Sequence, residues 1–236
     1  MNPIQNIIVA LDVDCLAKAE PLVQKLAPFV GYFKVGLELL TREGAPQVVR
    51  KIHQLGGKIF FDGKFDDIPN TVAAATKAVA ELGVAFFDVH ASSGPQSLKA
   101  AAAEKKNSKL LVVTVLTSHD AESSKKTFGA PAGEKVLAFA KEAALCGADG
   151  IICSPQELSL LGAEPSLKGL LKVTPGVRPE WAEANDQKRV LTPGEAIRQG
   201  ATHLVIGRPI LRPPPSIGNP VEAAKRIAEE IARALK

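Results

Sequence analysis

Cysteine is scarce. There are three in 236 residues, Cys15, Cys146 and Cys153, odd in number and far apart. They form no C-x-x-C pair and no even-numbered framework, which excludes a disulfide-stapled scaffold and a thiol-based metal or redox centre; a reducing cytoplasm is the expected compartment. Neither sign of charge dominates: 29 Lys+Arg against 25 Asp+Glu leave +4. That is too small and too dispersed for a nucleic-acid-binding surface, although a small anionic substrate suits it. No stretch reaches the ~18 uninterrupted apolar residues of a membrane span. The opening MNPIQNIIVALDVD has no basic lead and is cut by Asp12, so no secretory signal is expected. Linkers, repeats and low-complexity tracts are missing too, as are G-x-S-x-G and Walker glycine loops.

What is present has the balance of an ordinary globular protein, 46% hydrophobic and 23% charged. Short β-branched runs recur down the whole chain: NIIVALD, YFKVG, KIFFDGK, FFDVH, LLVVTVL, GIICS, LLKVTPG and THLVIGR. Between them lie Ala/Leu/Lys/Glu-rich stretches of helical spacing, among them AKAEPLVQKLAPF, REGAPQVVRKIHQL, TVAAATKAVAEL and PVEAAKRIAEEIARAL. Strand and helix alternate, which predicts parallel strands joined by crossover helices. The strands are almost continuously apolar, so both faces are buried. Eight such units point to an α/β fold, a closed (β/α)8 TIM barrel forming one domain over residues 1–236. An open doubly wound sheet is the alternative, since its usual Gly-rich first turn is absent but not obligatory. Three helix starts carry a capping side chain, then Pro, then a Glu placed to reach back: Ser154-Pro155-Gln156-Glu157, Thr192-Pro193-Gly194-Glu195 and Asn219-Pro220-Val221-Glu222.

A barrel of this kind works at the C-terminal ends of its strands, so the residues that terminate the apolar runs are the candidates. They are Asp12, Lys34, Asp62 with Lys64, Asp88 with His90, Thr117, then Arg178 and Gly207-Arg208. Period-two geometry puts Asp62 and Lys64 on one strand face and Gly63 on the other. With Lys34 on the neighbouring strand and Asp67 on the following loop, lysines and aspartates can interleave, keeping an ammonium dehydrated and poised to donate a proton. A merely structural ring of ion pairs is the competing account; several buried charges, each costing several kcal/mol, weigh against it. Arg178 and Arg208 fall where barrels commonly bind phosphate, and two guanidiniums suit a phosphate dianion. His53, His119 and His203 lack partners at ligand spacing. Mg²⁺ on Asp12, Asp62 and Asp67 would have to compete with the interspersed lysines, so no metal is expected. Arg212-Pro213-Pro214-Pro215 reads as a stiff surface connection.

The segment Phe61-Asp62-Gly63-Lys64-Phe65-Asp66-Asp67-Ile68-Pro69-Asn70-Thr71 closely resembles the D-x-K-x-x-D-I-x-x-T signature of the orotidine 5′-phosphate decarboxylase family. ALDVD, FKVGLEL, VHASSG, VLTS, TPGVRP, NDQKRVLTP and VIGRPI extend the resemblance, in order, through all eight units. It implies decarboxylation of orotidine 5′-monophosphate to uridine 5′-monophosphate without metal or organic cofactor. On the resemblance, Lys64 is the proton donor to C6, and Lys34, Asp62 and Asp67 complete the catalytic array. Asp67 and Thr71 are supplied across a homodimer interface. Asp12 and Lys34 hold ribose hydroxyls, Thr117 lines the site, and Arg178, Gln187, Gly207 and Arg208 bind phosphate. Asp66, an extra carboxylate inside the signature, is expected to point away from the ligand. Two other readings stand beside this one: a Mg²⁺-dependent phosphosugar decarboxylase or aldol-type enzyme of the same barrel superfamily, and a non-catalytic nucleotide-binding barrel.

Overall fold

The computed structural model describes residues 2–182 and 191–236. Its eight strands are β1 (Ile7–Ala10), β2 (Tyr32–Val35), β3 (Ile59–Phe65), β4 (Phe86–His90), β5 (Lys109–Val113), β6 (Gly150–Ile152), β7 (Leu171–Pro175) and β8 (His203–Ile206). All pair in parallel and in chain order, and β8 returns to β1, closing the barrel. The predicted strands are all present, and the open sheet is excluded.

Strand alternation divides the apolar residues between two cores. Ile8, Phe60, Phe86, Leu111 and Val173, with Tyr32, Ile152, Leu171 and Val205 against them, fill the barrel interior. Neighbours in sequence such as Val9, Phe33, Phe61, Phe87 and Val112 face outward and pack under the helices. Burial on both sides is the physical reason the runs are continuous rather than alternating.

One pair of strands departs from regular pleating. Phe61 pairs with Phe87 and Phe65 with Val89, so four steps along β3 match two along β4. The surplus chain is Asp62-Gly63-Lys64, and Lys64 takes a left-handed backbone conformation, φ 53°. Phe61 and Phe65 flank it on the helix side, ring centroids 6.0 Å apart. A Cβ on Gly63 would lie 2.5 Å from the Phe61 ring, so any side chain there requires that ring to move.

The helices follow the predicted stretches with two differences. REGAPQVVRKIHQL spans a break, because helices Leu37–Glu43 and Ala45–Gln54 meet at Gly44, whose φ of 79° no continuous helix accommodates. A short helix Ala121–Phe128, too polar to show an apolar stripe, is held by a reciprocal cap between Asp120 and Ser123. Of the three predicted capping boxes, those at Ser154 and Thr192 are reciprocal. Asn219 caps from one side only, since Glu222 bonds Lys225 at 2.9 Å instead of reaching back.

The Ser154 box makes stability depend on pH. Glu157 accepts the Ser154 N–H at 2.7 Å, and burial pushes its carboxyl up to about 7 from an ordinary 4.5. The folded state therefore holds this proton more tightly than the unfolded chain does. The resulting stability is complete below pH 4.5 and is lost as pH rises through 7. Glu157→Gln keeps an acceptor and removes the titration. Between pH 4.5 and 8 the variant should gain on the order of 3 kcal/mol relative to the wild type, read from urea midpoints at each pH; parallel curves would refute the assignment.

Candidate active site

The site grows out of the interior layer. Tyr32, Phe60 and Phe86 point inward, so the next inward positions toward the C-terminal rim are Lys34, Asp62 and Asp88. Asp12 follows β1 at the same rim. Lys34 Nζ lies 3.2 Å from Asp12 Oδ1 and 3.0 Å from Asp62 Oδ2. Lys64 Nζ bonds Asp62 Oδ1 and lies 3.1 Å from Asp88 Oδ2. The result is an unbroken series, Asp12, Lys34, Asp62, Lys64, Asp88, in which each ammonium sits between two carboxylates. Such alternation offsets the cost of holding charge away from water, which isolated ions would not survive. The series runs from an Asp12 side chain 67% exposed to an Asp88 side chain at 0%. Burial drives the Asp88 carboxyl above its ordinary range, against the pull of the Lys64 ammonium and N–H.

The structure brings together Lys34, Asp62 and Lys64 as expected, but not Asp67. Asp67 is exposed and its carboxylate accepts the N–H of Ile68 at 2.7 Å; within one chain Asp88 holds the fourth place in the array. The same-face argument for Asp62 and Lys64 reached the right pairing although the pleat is interrupted between them. Asp66 turns off the array, accepting from Ser92 Oγ at 3.0 Å. Burial holds the half-exposed His90 imidazole below its usual range, opposed by Asp66.

From the array a groove runs toward β7 and β8. A cavity of ≈ 240 Å³ is lined by Asp12, Lys34, Asp62 and Lys64. It shares Asp12 and Lys34 with the next, ≈ 200 Å³, which reaches Arg178, Gly207 and Arg208. That in turn shares both arginines with a third of ≈ 230 Å³. Arg178 is buried, with its N–H bonded to the Leu191 carbonyl at 3.0 Å, and Arg208 is exposed at the start of a short helix. Arg212, Pro214 and Pro215 wall the third cavity, so the proline stretch, a surface connection after β8 as expected, also forms part of the groove. Thr117 and Thr71 are exposed, on the loop after β5 and at the start of helix Pro69–Glu81, and line none of these cavities. Gln187 lies outside the described residues. Among the described residues no cluster of three or more His, Cys, Asp or Glu is arranged to hold a metal ion, and no helix is long and apolar enough to cross a membrane.

A closed (β/α)8 barrel with a lysine–aspartate array at one side of its mouth and an arginine-lined end at the other has the site of a barrel enzyme for a phosphorylated anion. The model of the Orotidine 5′-phosphate decarboxylase / HUMPS family matches residues 5–227, and the chain belongs to that family. Similar proteins include the orotidine 5′-phosphate decarboxylases of Moorella thermoacetica, 45% identical over 98% of this chain and 94% of the relative, and of Halorhodospira halophila, 46% identical over 97% of each. The crystal structure of orotidine 5′-phosphate decarboxylase from Lactobacillus acidophilus superimposes with a TM-score of 0.81 at 38% identity, covering 95% of this chain and 98% of that one.

Proposed function

We propose that this protein decarboxylates orotidine 5′-monophosphate to uridine 5′-monophosphate and CO₂, the closing step of de novo pyrimidine synthesis, with no metal or organic cofactor. The observation that carries the reading is Lys64, an ammonium between two carboxylates at the end of a groove whose other end is lined by arginines. The full-length relatives named above support it.

When the C6–carboxylate bond breaks, its electron pair stays on C6 in an sp² orbital that the ring does not delocalise. CO₂ leaves. The Lys64 ammonium stabilises the developing carbanion and then gives C6 a proton, and solvent reprotonates the amine. Asp62 holds that ammonium in place, and Lys34 in turn holds Asp62. Asp12 and Lys34 serve the ribose hydroxyls, Thr117 lines the site, and Arg178, Gln187, Gly207 and Arg208 take the phosphate. Phosphate binding, remote from the reacting carbon, supplies energy for orienting the ring.

The working unit in this reading is a cytoplasmic homodimer of single-domain chains, each lending Asp67 and Thr71 to its partner's site. One observation favours it: Asp67 is exposed and its carboxylate bonds the Ile68 N–H, not a lysine of its own chain's array. The family also spans metal-dependent phosphosugar chemistry, but here both lysines lie within bonding distance of the carboxylates a cation would need.

The test follows loss of orotidine 5′-monophosphate by ultraviolet absorbance in EDTA. Turnover is expected to persist undiminished. Activity abolished by EDTA would transfer the protein to the metal-dependent branch, and tight uridine 5′-monophosphate binding without turnover would make it a non-catalytic barrel.

A further inference from the structure

The β3–β4 irregularity has an occupant. Asp88 stands on β4 between Phe87 and Val89, opposite the surplus chain of β3. Its two oxygens take different parts of the same residue: Oδ1 accepts the Lys64 backbone N–H at 2.8 Å, and Oδ2 meets Lys64 Nζ at 3.1 Å. We propose that Asp88 is a positioning residue for Lys64, pinning by its backbone the bulge on which that lysine is carried and by its side chain the direction in which the ammonium points. This deepens the assignment of Lys64 as proton donor and rests on it.

The physical case has three parts. A non-glycine residue at φ 53° is disfavoured by sterics and persists only where its surroundings determine it. The N–H of a bulged residue is lost to the sheet ladder and needs another acceptor when buried; Asp88 supplies it. Finally, a fully buried carboxylate is costly unless bonded, and both bonds of Asp88 go to one residue. Asp62 also holds the ammonium, and Lys34 lies beyond it, but it is Asp88 that accepts the Lys64 backbone N–H. Of the two aspartates beside Lys64, Asp88 is therefore the one whose loss should move the main chain.

Asp88→Val removes both acceptors, whereas Asp88→Asn keeps an oxygen for the N–H at the same reach. In Asp88→Val, kcat should fall roughly 100-fold, as expected for a reacting group displaced by about an ångström. KM should stay within about threefold, because the phosphate end is untouched. Asp88→Asn should restore kcat to within about tenfold of wild type. Hydrogen exchange at the Lys64 amide supplies a readout that needs no turnover: protected in wild type and Asp88→Asn, fast in Asp88→Val. Asp88→Ser, too short to reach either nitrogen, replaces Asp88→Val should the latter not fold. Ordinary kcat in the valine or serine variant, an asparagine variant as impaired as they are, or an exchange rate unchanged throughout would each overturn the proposal. Wild-type enzyme that leaves orotidine 5′-monophosphate intact would instead overturn the function, with the exchange pattern still reporting on Asp88.

Discussion

Lys64→Ala is expected to lower kcat on orotidine 5′-monophosphate roughly 10⁴-fold or more, since one ammonium is asked both to stabilise the carbanion and to protonate it. The loss should fall almost wholly on kcat, because the arginine end of the groove is intact and continues to bind the phosphate. A structural consequence accompanies it. Without the ammonium, the fully buried Asp88 carboxylate loses a partner and faces Asp62 across an empty space. Its neutral form is then favoured further, so the variant should unfold at lower denaturant as pH rises. Steady-state absorbance assays and urea titrations check the two halves separately. An alanine enzyme of ordinary activity would remove Lys64 from the chemistry altogether.

Mixing two nearly inactive variants should restore activity. If each site takes Lys64 from one chain and Asp67 from the other, a Lys64→Ala/Asp67→Ala heterodimer holds one intact site and one doubly defective site. At equal input and free exchange half the dimers are mixed, so recovery should approach about a quarter of wild-type activity. The yield is informative, because a site complete within one chain would give none. Mixtures are compared before and after a mild denaturation and refolding step, with native mass spectrometry of differently tagged chains confirming exchange. No recovery in a population shown to be mixed would count against a shared site.

Much of this was legible in the chain because burial imposes composition. Strands covered on both faces must be apolar, so an ionisable residue at the end of such a run is conspicuous. Asp12, Lys34, Asp62 and Lys64 were found this way and do stand together. The arginine-lined end of the groove was legible for a similar reason, since Arg178 and Arg208 come soon after β7 and β8. What was hidden depends on pairs of strands. Asp88 appeared among the strand-end residues without a role, because the mismatch of four residues against two exists only in the pairing of β3 with β4. The one available clue was register: Phe60 pairs with Phe86, so Asp88 occupies on β4 the inward position that Asp62 occupies on β3. That Pro214 and Pro215 also line a cavity with Arg178 and Arg208 was not legible, because nothing local shows which residues the chain after β8 meets. The Gly44 break was readable, but the apolar positions on either side kept helical spacing across it.

In a regular barrel a strand contributes at most one inward side chain to a layer, which caps how densely its rim can carry working groups. By fitting Asp62 and Lys64 into the height that β4 spans with Asp88 alone, this barrel exceeds the cap at one point on its circumference. Functional groups there are denser than strand count allows, and the gain is local: it requires an extra two residues in one strand, no additional loop and no widening of the barrel. Shortening β3 by those two residues would give a more regular sheet with space for only one of the two charges.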